Sequence, residues 1–596
     1  MAVNMTIDQQ QVSVPEGTTV LDAAAQAGIK IPTLCHLQDV DSPGSCRVCL
    51  VEVEGARTLQ PSCVTQVRDG MVVRTTSKKA RKARRLSVEL LLANHPWDCN
   101  ACVRNNECEL QDIAKQMGIN EVRFPYTKGE TPADQSTAAL VRDMDKCVLC
   151  RRCVAVCQDV QGVGTLAARN RGFETEIGTG ATEELSDAIC VQCGQCSAVC
   201  PVGAIYEKDS IEDVWNALDD PEKHVVVQTA PAIRAALGEC FGQEPGTCVT
   251  GKMVSALRRI GFDKVFDTNF TADLTIIEEG HEFLTRLKKA LVDGDESVKL
   301  PMFTSCSPGW INYMEYFYPE IIPNISTCKS PQQMFGALAK TYYAEKEGID
   351  PNNVVVVSVM PCTAKKYECV RPEMSDSGLQ DVDYVLTTRE LGRMIAEAGI
   401  DFMNLPDDKQ DSPMGLSTGA ADIFANTGGV MEAALRTVYE VVTGRELPTD
   451  KLHVTAVHGL DGLKEAQLPL ENVKEEWSFL EGVTAKVAVA HGLANARKVC
   501  DLVANGEAEY HFIEVMCCPG GCIGGGGQPR FTTNDVRNAR IKAIYTEDEG
   551  REQRKSHENP AITQIYEEFL GEPLGHKSHE LLHTHYKAKV ETAEQA

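Results

Sequence analysis

Near-continuous apolar runs dominate the carboxyl-terminal half of the chain. From about Val225, valine-rich runs occur at 224–231 (HVVVQTAP), 353–362 (NVVVVSVMPC) and 510–518 (YHFIEVMCC). Segments of helical periodicity, such as LGRMIAEAGI at 391–400, separate these runs. Continuous apolar runs are typical of strands that are buried on both faces. The pattern therefore predicts an α/β domain with a largely parallel sheet.

The amino-terminal segment has a different pattern. Short strand-like stretches at 5–10 (MTIDQQ) and 11–17 (QVSVPEG) precede a helical stretch at 18–28 (TTVLDAAAQAG). A loop with four cysteines follows. The pattern predicts a small domain of short strands and one helix, with the cysteines on its loop.

Length and composition predict a multidomain globular protein. A chain of 596 residues exceeds what one core usually holds, and 43% hydrophobic residues suffice for several cores. The first residues lack the charged and apolar regions of a signal peptide, and no apolar run reaches membrane-spanning length. Paired arginines, such as those at 84–85 and 151–152, occur only internally, so they are not an export signal. We expect a cytoplasmic protein without a membrane span.

Charge and cysteine content narrow the chemistry. The net charge of -26 disfavours nucleic acid as a partner, and the basic run KKARKARR at 78–85 is interpreted as a solvated helix face. The chain has 25 cysteines, of which fifteen lie between Cys35 and Cys200. Disulfides are rare in a reducing compartment, so thiols at short regular spacings indicate metal binding.

The first cysteine group resembles a 2Fe-2S site. Its members are Cys35, Cys46, Cys49 and Cys63. The segment resembles the ubiquitin-like β-grasp fold of plant-type 2Fe-2S ferredoxins, although ten residues separate the first two cysteines instead of four. That longer gap is similar to the ferredoxin module of complex I large subunits and iron-only hydrogenases. A zinc site made by four thiolates is the alternative.

A second group combines one histidine with three cysteines. The stretch HPWDCNACVRNNEC contains His95, Cys99, Cys102 and Cys108. It resembles the 4Fe-4S site with one histidine ligand in the same two families. Zinc would accept the same ligand set, so only spacing and resemblance favour iron and sulfide.

An internal repeat supplies the most specific local motif. The stretches CVLCRRCVAVCQ at 147–158 and CVQCGQCSAVCP at 190–201 both follow the spacing C-x2-C-x2-C-x3-C. In bacterial two-cluster ferredoxins the fourth cysteine of each run serves the other cluster. We therefore predict two 4Fe-4S clusters. Their ligands are Cys147, Cys150, Cys153 and Cys200 for one, and Cys190, Cys193, Cys196 and Cys157 for the other.

The cysteines of the carboxyl-terminal half follow predicted strands. Cys306, Cys362 and Cys518 each come directly after an apolar run. Ligand sites in open α/β sheets lie beyond the carboxyl ends of strands, so these distant loops are predicted to form one metal site.

Three segments resemble the characteristic segments of iron-only (FeFe) hydrogenases. They are TSCSPGW at 304–310, MPCTAKKYE at 360–368 and EVMCCPGGCIGGGGQP at 514–529. With the four cluster motifs, the resemblance covers nearly the whole chain. It implies reversible conversion of two protons and two electrons to H2 at an H-cluster, a 4Fe-4S unit joined through one cysteine to a di-iron unit with carbonyl, cyanide and azadithiolate ligands.

The resemblance also implies roles for single residues. Cys522 would be the bridging ligand, while Cys362 and Cys518 would hold the 4Fe-4S unit. Cys517 is interpreted as a packing residue. Thiolates are the soft donors that iron prefers, and the glycines after Cys522 are interpreted as room for the backbone to approach the cofactor.

Three further residues are expected around the di-iron unit. The resemblance implies that Lys365 hydrogen-bonds a cyanide, that Met360 packs against the bridging region and that Pro231 lies nearby. An ammonium group facing an anionic ligand makes a charge-assisted hydrogen bond. A solvated surface lysine is the alternative for Lys365.

One departure from the family concerns the first segment. The family has a Cys-Cys pair, of which the first member relays protons and the second binds the 4Fe-4S unit, whereas this chain has Cys306-Ser307. Serine is a harder and poorer iron ligand than thiolate. We therefore expect Cys306 to be the fourth ligand. The converse, with Cys306 as relay and Ser307 as ligand, stays open.

A proton route is also implied by the resemblance. Glu279, Glu282, Arg286 and Ser326 match the family's chain of carboxylates and a hydroxyl. The alternative for Glu282 and Arg286, which are spaced i,i+4, is a plain ion pair on a helix surface.

These observations give a four-part organisation. We predict a 2Fe-2S domain at 1–78, a histidine-containing 4Fe-4S module at 79–125, a two-cluster ferredoxin domain at 126–209 and a catalytic domain at 210–596. A line of clusters implies an electron relay, with ferredoxin or a flavin-containing NAD(P)H-oxidising subunit as partner in a possible hetero-oligomer. The alternatives are an electron-transfer subunit of a complex I-like assembly and a hydrogen sensor.

Overall fold

The amino-terminal domain is a five-stranded sheet with one helix. A computed structural model describes residues 2–126, 131–180 and 182–589. Strands β1 and β2 form an antiparallel hairpin, and β1 pairs with β5 in parallel, in the order β2-β1-β5-β3-β4. This is a β-grasp arrangement, which confirms the predicted fold of this segment. Its elements are β1 (Ala2–Ile7), β2 (Gln10–Pro15), α1 (Val20–Gln26), β3 (Leu50–Val53), β4 (Gln60–Pro61) and β5 (Val72–Arg74).

Two helices follow, α2 (Lys78–Ala93) and α3 (Glu109–Gln116). Ser77 caps α2 by accepting a hydrogen bond from Ala80 N at 3.2 Å. The basic run at the start of α2 is not wholly solvated. Arg84 is buried and donates from Nε to Leu50 O at 2.7 Å, which ties α2 to the sheet. The interpretation of this run as a solvated face was therefore wrong at Arg84, because the aliphatic stem of arginine is readily buried.

The next segment shows the internal repeat as a structural repeat. Arg151 and Gly194 occupy matching places in the two motifs, and both have left-handed backbone conformations, with φ of 64° and 71°. Each directly precedes a short helix. Strands β6 and β9 pair antiparallel. The elements are β6 (Leu140–Arg142), α4 (Arg152–Ala155), β7 (Ala167–Arg169), β8 (Glu176–Gly178), α5 (Gln195–Val199) and β9 (Ile205–Glu207).

The carboxyl-terminal half is an α/β domain with two four-stranded sheets. The first has the order β11-β10-β13-β14 with every pair parallel. The second has the order β12-β17-β16-β15, in which only the edge pair β15–β16 is antiparallel. The eight strands are β10 (His224–Thr229), β11 (Lys264–Asp267), β12 (Met302–Phe303), β13 (Val354–Met360), β14 (Tyr384–Thr387), β15 (Leu463–Pro469), β16 (Thr484–His491) and β17 (Phe512–Met516). The predicted parallel strands are confirmed, in two sheets instead of one.

Helices surround and separate the two sheets. They are α6 (Ile211–Asp219), α7 (Thr250–Ile260), α8 (Thr268–Lys288), α9 (Pro308–Phe317), α10 (Pro331–Leu338), α11 (Ala344–Glu347), α12 (Ala364–Glu368), α13 (Thr388–Glu397), α14 (Gly419–Asp422), α15 (Gly429–Thr443), α16 (Leu493–Ala504), α17 (Asn534–Glu549), α18 (Pro560–Ile565) and α19 (His576–Leu582). Within the described ranges, no helix combines the length and hydropathy needed to cross a membrane.

Helix α8 is the central helix of this half. It packs against α10, α14 and α15, and most of its residues are buried. Several of these buried residues are carboxylic acids, among them Glu278, Glu279 and Glu282. A buried carboxyl group is costly unless it is hydrogen-bonded or protonated, so this helix needs polar partners from the elements around it.

Arg234 supplies a deeply buried charge link of the domain. Its Nη1 is 2.7 Å from Asp422 Oδ1, and its Nη2 is 2.8 Å from Asp267 Oδ2. All three side chains are at most 1% exposed. The guanidinium thus joins the end of β11 to α14, and Arg551 adds a second cation at 2.8 Å from Asp422.

Removing this cation should destabilise the catalytic half. Arg234→Met leaves two buried carboxylates with fewer partners, and we expect a loss of about 3–5 kcal/mol in the free energy of unfolding. Anaerobic calorimetry would record this as a lower apparent melting temperature. The matched control is Arg258→Met, since Arg258 also bonds two aspartates but is 31% exposed; it should cost less than about 1 kcal/mol. Equal losses in the two variants would contradict the assigned role of burial.

Candidate active site

Four cysteines of the carboxyl-terminal half that were expected at the metal site meet at one cavity between the two sheets. Cys362 follows the end of β13 by two residues, and Cys518 follows the end of β17 by two residues. Cys522 lies in the next turn, and Cys306 follows β12 by three residues. All four line the same cavity. The strand ends therefore bring together side chains that are far apart in the sequence.

Two further expected residues line this cavity. Met360 is the last residue of β13 and is 2% exposed, and Pro231 follows β10 by two residues. The thiol of Cys518 neighbours those of Cys362 and Cys517, and hydrogen bonds from these two thiols lower its pKa. The cavity thus combines adjacent sulfur donors with a largely apolar wall, as a site for a soft metal requires.

Lys365 faces the cavity and is held in place by two acceptors. Its Nζ is 2.8 Å from Glu368 Oε2 and 3.2 Å from Cys306 O. The side chain is only 11% exposed. Lys365 is therefore not a solvated surface lysine, and its ammonium group is available to an anion in the cavity.

Glu368 and Gln332 are positioning residues that the sequence reasoning missed. Glu368 accepts from Lys365, from Ser330 Oγ at 2.9 Å and from Gln332 Nε2 at 3.0 Å. Gln332 lines the cavity, and its Oε1 is buried without a partner among the described residues. The i,i+3 spacing of Lys365 and Glu368 was the available signal for the first of them.

Cys306 lies near the start of the expected proton route. Burial raises the pKa of its thiol, and Glu279 and Cys522 are the neighbours that contribute most after burial. Ser307 has a different neighbour, because its Oγ accepts a hydrogen bond from Cys517 N at 3.2 Å. That Cys306 binds iron stays a prediction.

The residues of the expected proton route lie close to one another. Burial raises the pKa of Glu279 to about 8, with Glu282 and Ser326 among its neighbours, and Glu279 Oε1 is buried without a hydrogen-bond partner among the described residues. Ser326 Oγ donates to Glu282 Oε2 at 2.8 Å, and Arg286 Nη2 is 2.6 Å from Glu282 Oε1. The i,i+4 ion pair exists, but its two side chains are only 13% and 10% exposed. It is therefore not a plain surface pair.

The glycine run packs against backbone. A Cβ on Gly525 would lie 2.2 Å from Pro361 O, and one on Gly526 would lie 2.1 Å from Cys193 O. These glycines have ordinary φ values, so space and not a left-handed conformation requires them. The interpretation of the run as room for a cofactor stays a prediction, which the position of Gly525 in the cavity wall supports. The close neighbours of Gly525 and Gly526 in the described structure are the loops that contain Cys362 and Cys193.

Hydrogen bonds join the ferredoxin-like segment to the cavity loops. Gln195 Nε2 donates to Gly524 O at 2.9 Å, and Thr363 Oγ1 donates to Gln192 O at 2.8 Å. Gln195 also lowers the pKa of the Cys518 thiol by a hydrogen bond, after the larger effects of the neighbouring thiols and burial. Sequence reasoning gave Gln195 no role, since nothing in the repeat itself indicates a contact some 330 residues away.

The sulfurs of the ferredoxin-like segment form two groups. Burial raises the pKa of the Cys153 and Cys196 thiols, and in each case three neighbouring sulfurs are the next largest causes. These neighbours are Cys150, Cys147 and Cys200 around Cys153, and Cys193, Cys190 and Cys157 around Cys196. The grouping is crossed between the two motifs. That each group holds one 4Fe-4S cluster stays a prediction.

Sulfurs also cluster in the amino-terminal domain. Cys49 Sγ is 3.4 Å from Cys63 Sγ. Hydrogen bonds from the thiols of Cys46 and Cys63 lower the pKa of Cys35. Four soft donors in one place fit an iron-sulfur cluster.

The remaining motif lies between α2 and α3. His95 is buried, and Cys99 begins a short 3-10 turn. Burial raises the pKa of the Cys108 thiol, and Cys102 is one of its smaller causes. The four residues are soft or borderline donors, so they fit either iron or zinc, and their role as ligands stays a prediction.

Profiles of known families match segments in each of the four predicted parts of the chain. The profile described as iron only hydrogenase large subunit, C-terminal domain, matches residues 223–526, and that of the iron hydrogenase small subunit matches 534–589. A 2Fe-2S iron-sulfur cluster binding domain matches 1–78. An NADH-ubiquinone oxidoreductase-G iron-sulfur binding region matches 84–123, and the ferredoxin-like domain of NADH-quinone oxidoreductase subunit 3 matches 138–206.

Individual relatives extend over nearly the whole chain. The NADP-reducing hydrogenase subunit HndD of Solidesulfovibrio fructosivorans is 53% identical and covers 98% of both chains. Iron hydrogenase 1 of Clostridium pasteurianum is 40% identical and covers 98% of this chain and 99% of its own. The solved structure of an apo [FeFe]-hydrogenase variant from Chlamydomonas reinhardtii is 46% identical with a TM-score of 0.57, and it covers 64% of this chain and 99% of its own.

Gly526→Ala should loosen the contact between the cavity loop and the ferredoxin-like segment. The added methyl group would overlap Cys193 O, so one of the two backbones must move, at a cost of about 1–3 kcal/mol or more. We expect a lower apparent melting temperature and faster proteolysis between 206 and 223.

Gly550→Ala is the matched control for this substitution. Gly550 ends α17 with a φ of -82°, and its added Cβ would meet only ordinary contacts at 3.4 Å. It should leave the apparent melting temperature and the rate of proteolysis unchanged. A Gly526→Ala protein as stable as the control would contradict the proposed tightness of this contact.

Proposed function

The chain belongs to the iron-only hydrogenase family, and from this premise we propose which of its residues hold the cofactor, move protons and pass electrons. The chain is a hydrogenase with an electron relay, which interconverts H2 with protons and electrons. The observation that supports the residue assignments is the convergence of Cys362, Cys518 and Cys522 on one cavity together with Lys365.

The cavity fits an H-cluster by the chemistry of its donors. Cys362 and Cys518 would hold a 4Fe-4S unit, and Cys522 would bridge it to the di-iron unit. The Lys365 ammonium group would donate to a cyanide, since Glu368 and Cys306 O already orient it toward the cavity. The H-cluster, when bound, supplies the iron centre at which H2 is formed or split. Apolar neighbours such as Met360 would exclude water from it.

Protons would pass between the cavity, near Cys306, and the edge of the domain. Glu279 has a pKa raised to about 8 by burial, so at neutral pH it holds a proton that it can give up at small cost. Ser326 and Glu282 continue the route by a hydrogen bond of 2.8 Å. Arg286 donates to Glu282 and to Ile325 O at 2.8 Å, which holds Glu282 in place at the outer end.

Electrons would pass along the accessory iron-sulfur clusters. We propose one 2Fe-2S cluster, one 4Fe-4S cluster with a histidine ligand and two 4Fe-4S clusters in the ferredoxin-like segment. The Cys193 thiol neighbours that of Cys517, next to Cys518. The ferredoxin-like segment therefore supports electron exchange with the H-cluster through this contact.

The partner would be ferredoxin or a flavin-containing subunit that oxidises NAD(P)H. A relative that is 53% identical over nearly the whole chain is named as a subunit of an NADP-reducing hydrogenase, which supports a hetero-oligomer of this kind.

Two other functions fit part of the chain. An electron-transfer subunit of a complex I-like assembly would need only the regions matched at 84–123 and 138–206. A hydrogen sensor would not need a proton route suited to turnover. The cavity cysteines disfavour the first alternative, and the buried polar groups of Glu279, Ser326 and Glu282 disfavour the second.

Infrared spectroscopy tests the proposed cofactor directly. Protein matured and purified without oxygen should show bands from iron-bound CO and CN and should evolve H2 from a reduced electron donor. Cys362→Ala should lose both, because it removes a soft ligand of the 4Fe-4S unit. A wild-type protein with accessory clusters but without these bands would overturn the proposal.

The proton route is tested by Glu279→Gln. Glutamine keeps the size of the side chain but cannot exchange a proton, so H2 turnover should fall about 100-fold or more while the infrared bands persist. Asp273→Asn is the matched control. Asp273 also lies buried on α8 with a pKa raised to about 7, but it bonds Thr418 and Asn559 instead of the route. Equal turnover in the two variants would remove Glu279 from the route.

A further inference from the structure

The fourth thiolate of the 4Fe-4S unit is missing from its expected place. The family has a cysteine where this chain has Ser307, yet the chain has a run of two adjacent cysteines on the opposite loop, Cys517 and Cys518. Both of these line the cavity. Whether Cys517 can supply the missing ligand depends on how close it lies to Ser307.

Ser307 and Cys517 are direct neighbours in the wall of the cavity. Cys517 N donates to Ser307 Oγ at 3.2 Å. A Cβ added to Gly309, two residues after Ser307, would lie 2.6 Å from Cys517 Sγ. The sulfur of Cys517 thus occupies the space in front of the first turn of α9, next to the place where a cysteine at 307 would present its own sulfur.

Adjacent residues normally point to opposite faces of a strand, but here the strand has ended. Strand β17 stops at Met516, and the chain bends at Cys517 and Cys518. The thiols of these two residues neighbour each other. The two thiols are thus near enough to each other to bind one cluster.

Gln161 is a polar neighbour of Cys517 Sγ. It is 1% exposed, and its Nε2 has no partner among the described residues. Its Oε1 lies 3.9 Å from Cys517 Sγ and accepts from Leu493 N at 3.4 Å. The two ends of an amide are nearly equal in size, so a rotated amide would present Nε2 as a donor to the sulfur, in exchange for the acceptor of Leu493 N.

Ser307 and Cys306, the other two candidates for the fourth ligand, have different tasks. Ser307 precedes α9, its oxygen is engaged with Cys517 N, and a hydroxyl group is a hard and poor ligand for iron. Cys306 neighbours Glu279 at the inner end of the proton route. A thiol bound to iron cannot also donate a proton, so the route favours a free Cys306.

We propose that Cys517 is the fourth ligand of the 4Fe-4S unit, in the place of the residue at 307, and that Cys306 is free to relay protons. This assignment rests on the proposed H-cluster and replaces the expectation that Cys306 binds iron. The set of soft donors is then Cys362, Cys517, Cys518 and Cys522. The position of Cys517 beside Cys193 also places one ligand next to the nearest accessory cluster.

The test uses the full chain produced in a host without the machinery for the di-iron unit, so that only 4Fe-4S chemistry is measured. Iron content and electron paramagnetic resonance are compared for the wild type, Cys517→Ala, Cys306→Ala and Ser307→Ala. We expect Cys517→Ala alone to lose up to about four irons per chain or to show the signal of a three-iron cluster. The signals of the accessory clusters should persist in all variants.

A double variant separates ligand loss from misfolding. Ser307→Cys with Cys517→Ala restores the cysteine pair of the family, and it should recover the iron content and the signal of the wild type. Cys306→Ala should keep the cluster and, after maturation, show infrared bands with H2 turnover lowered about 100-fold or more.

Three results would overturn the assignment: an intact cluster in Cys517→Ala, cluster loss in Cys306→Ala or Ser307→Ala, or no recovery in the double variant. Failure of the proposed function is distinguishable, because it would appear in the wild type as absent CO and CN bands whatever the variants show.

Discussion

Close contact between three backbone segments is the constraint on which the catalytic half depends. Gly525 lies against Pro361 O, and Gly526 lies against Cys193 O, at distances that leave no room for a Cβ. The loop after β17 therefore packs directly on the loop of Cys362 and on the ferredoxin-like segment. Since a side chain at either glycine would separate these segments, the glycines set how near the sulfurs of different loops can come.

The buried carboxyl groups of α8 are a consequence of the same close packing. A helix buried on most sides must satisfy its carboxyl groups internally. Glu282 pairs with Arg286, whereas among the described residues Glu279 has no cationic partner and its Oε1 is buried without a hydrogen bond, and burial raises its pKa to about 8. One helix thus presents a paired carboxyl group and a carboxyl group of raised pKa three residues apart, with Ser326 donating to the first, which is an arrangement that suits proton transfer.

The proposed exchange of a ligand between loops rests on the contact between Ser307 and Cys517. The two residues are 210 positions apart in the sequence, yet one hydrogen bond of 3.2 Å connects them. An iron-sulfur cluster needs a certain number of soft donors at its corners and is indifferent to which loop supplies them. A chain that loses a cysteine on one side of the cavity can therefore keep its cluster with a cysteine on the other side.

The sequence alone determined the motifs in which ligands are close neighbours along the chain, and the strands that precede the cavity cysteines. A spacing such as C-x2-C confines its sulfurs to a few ångströms, and a valine-rich run such as 354–360 has few alternatives to a buried strand. Only the tertiary structure decided that the strands form two sheets, that Arg84 is buried, that the glycines face backbone and that Cys517 lies beside Ser307. Local sequence fixes short-range reach and backbone preference, but the neighbour of a side chain from a segment hundreds of residues away is set by the packing of the whole domain.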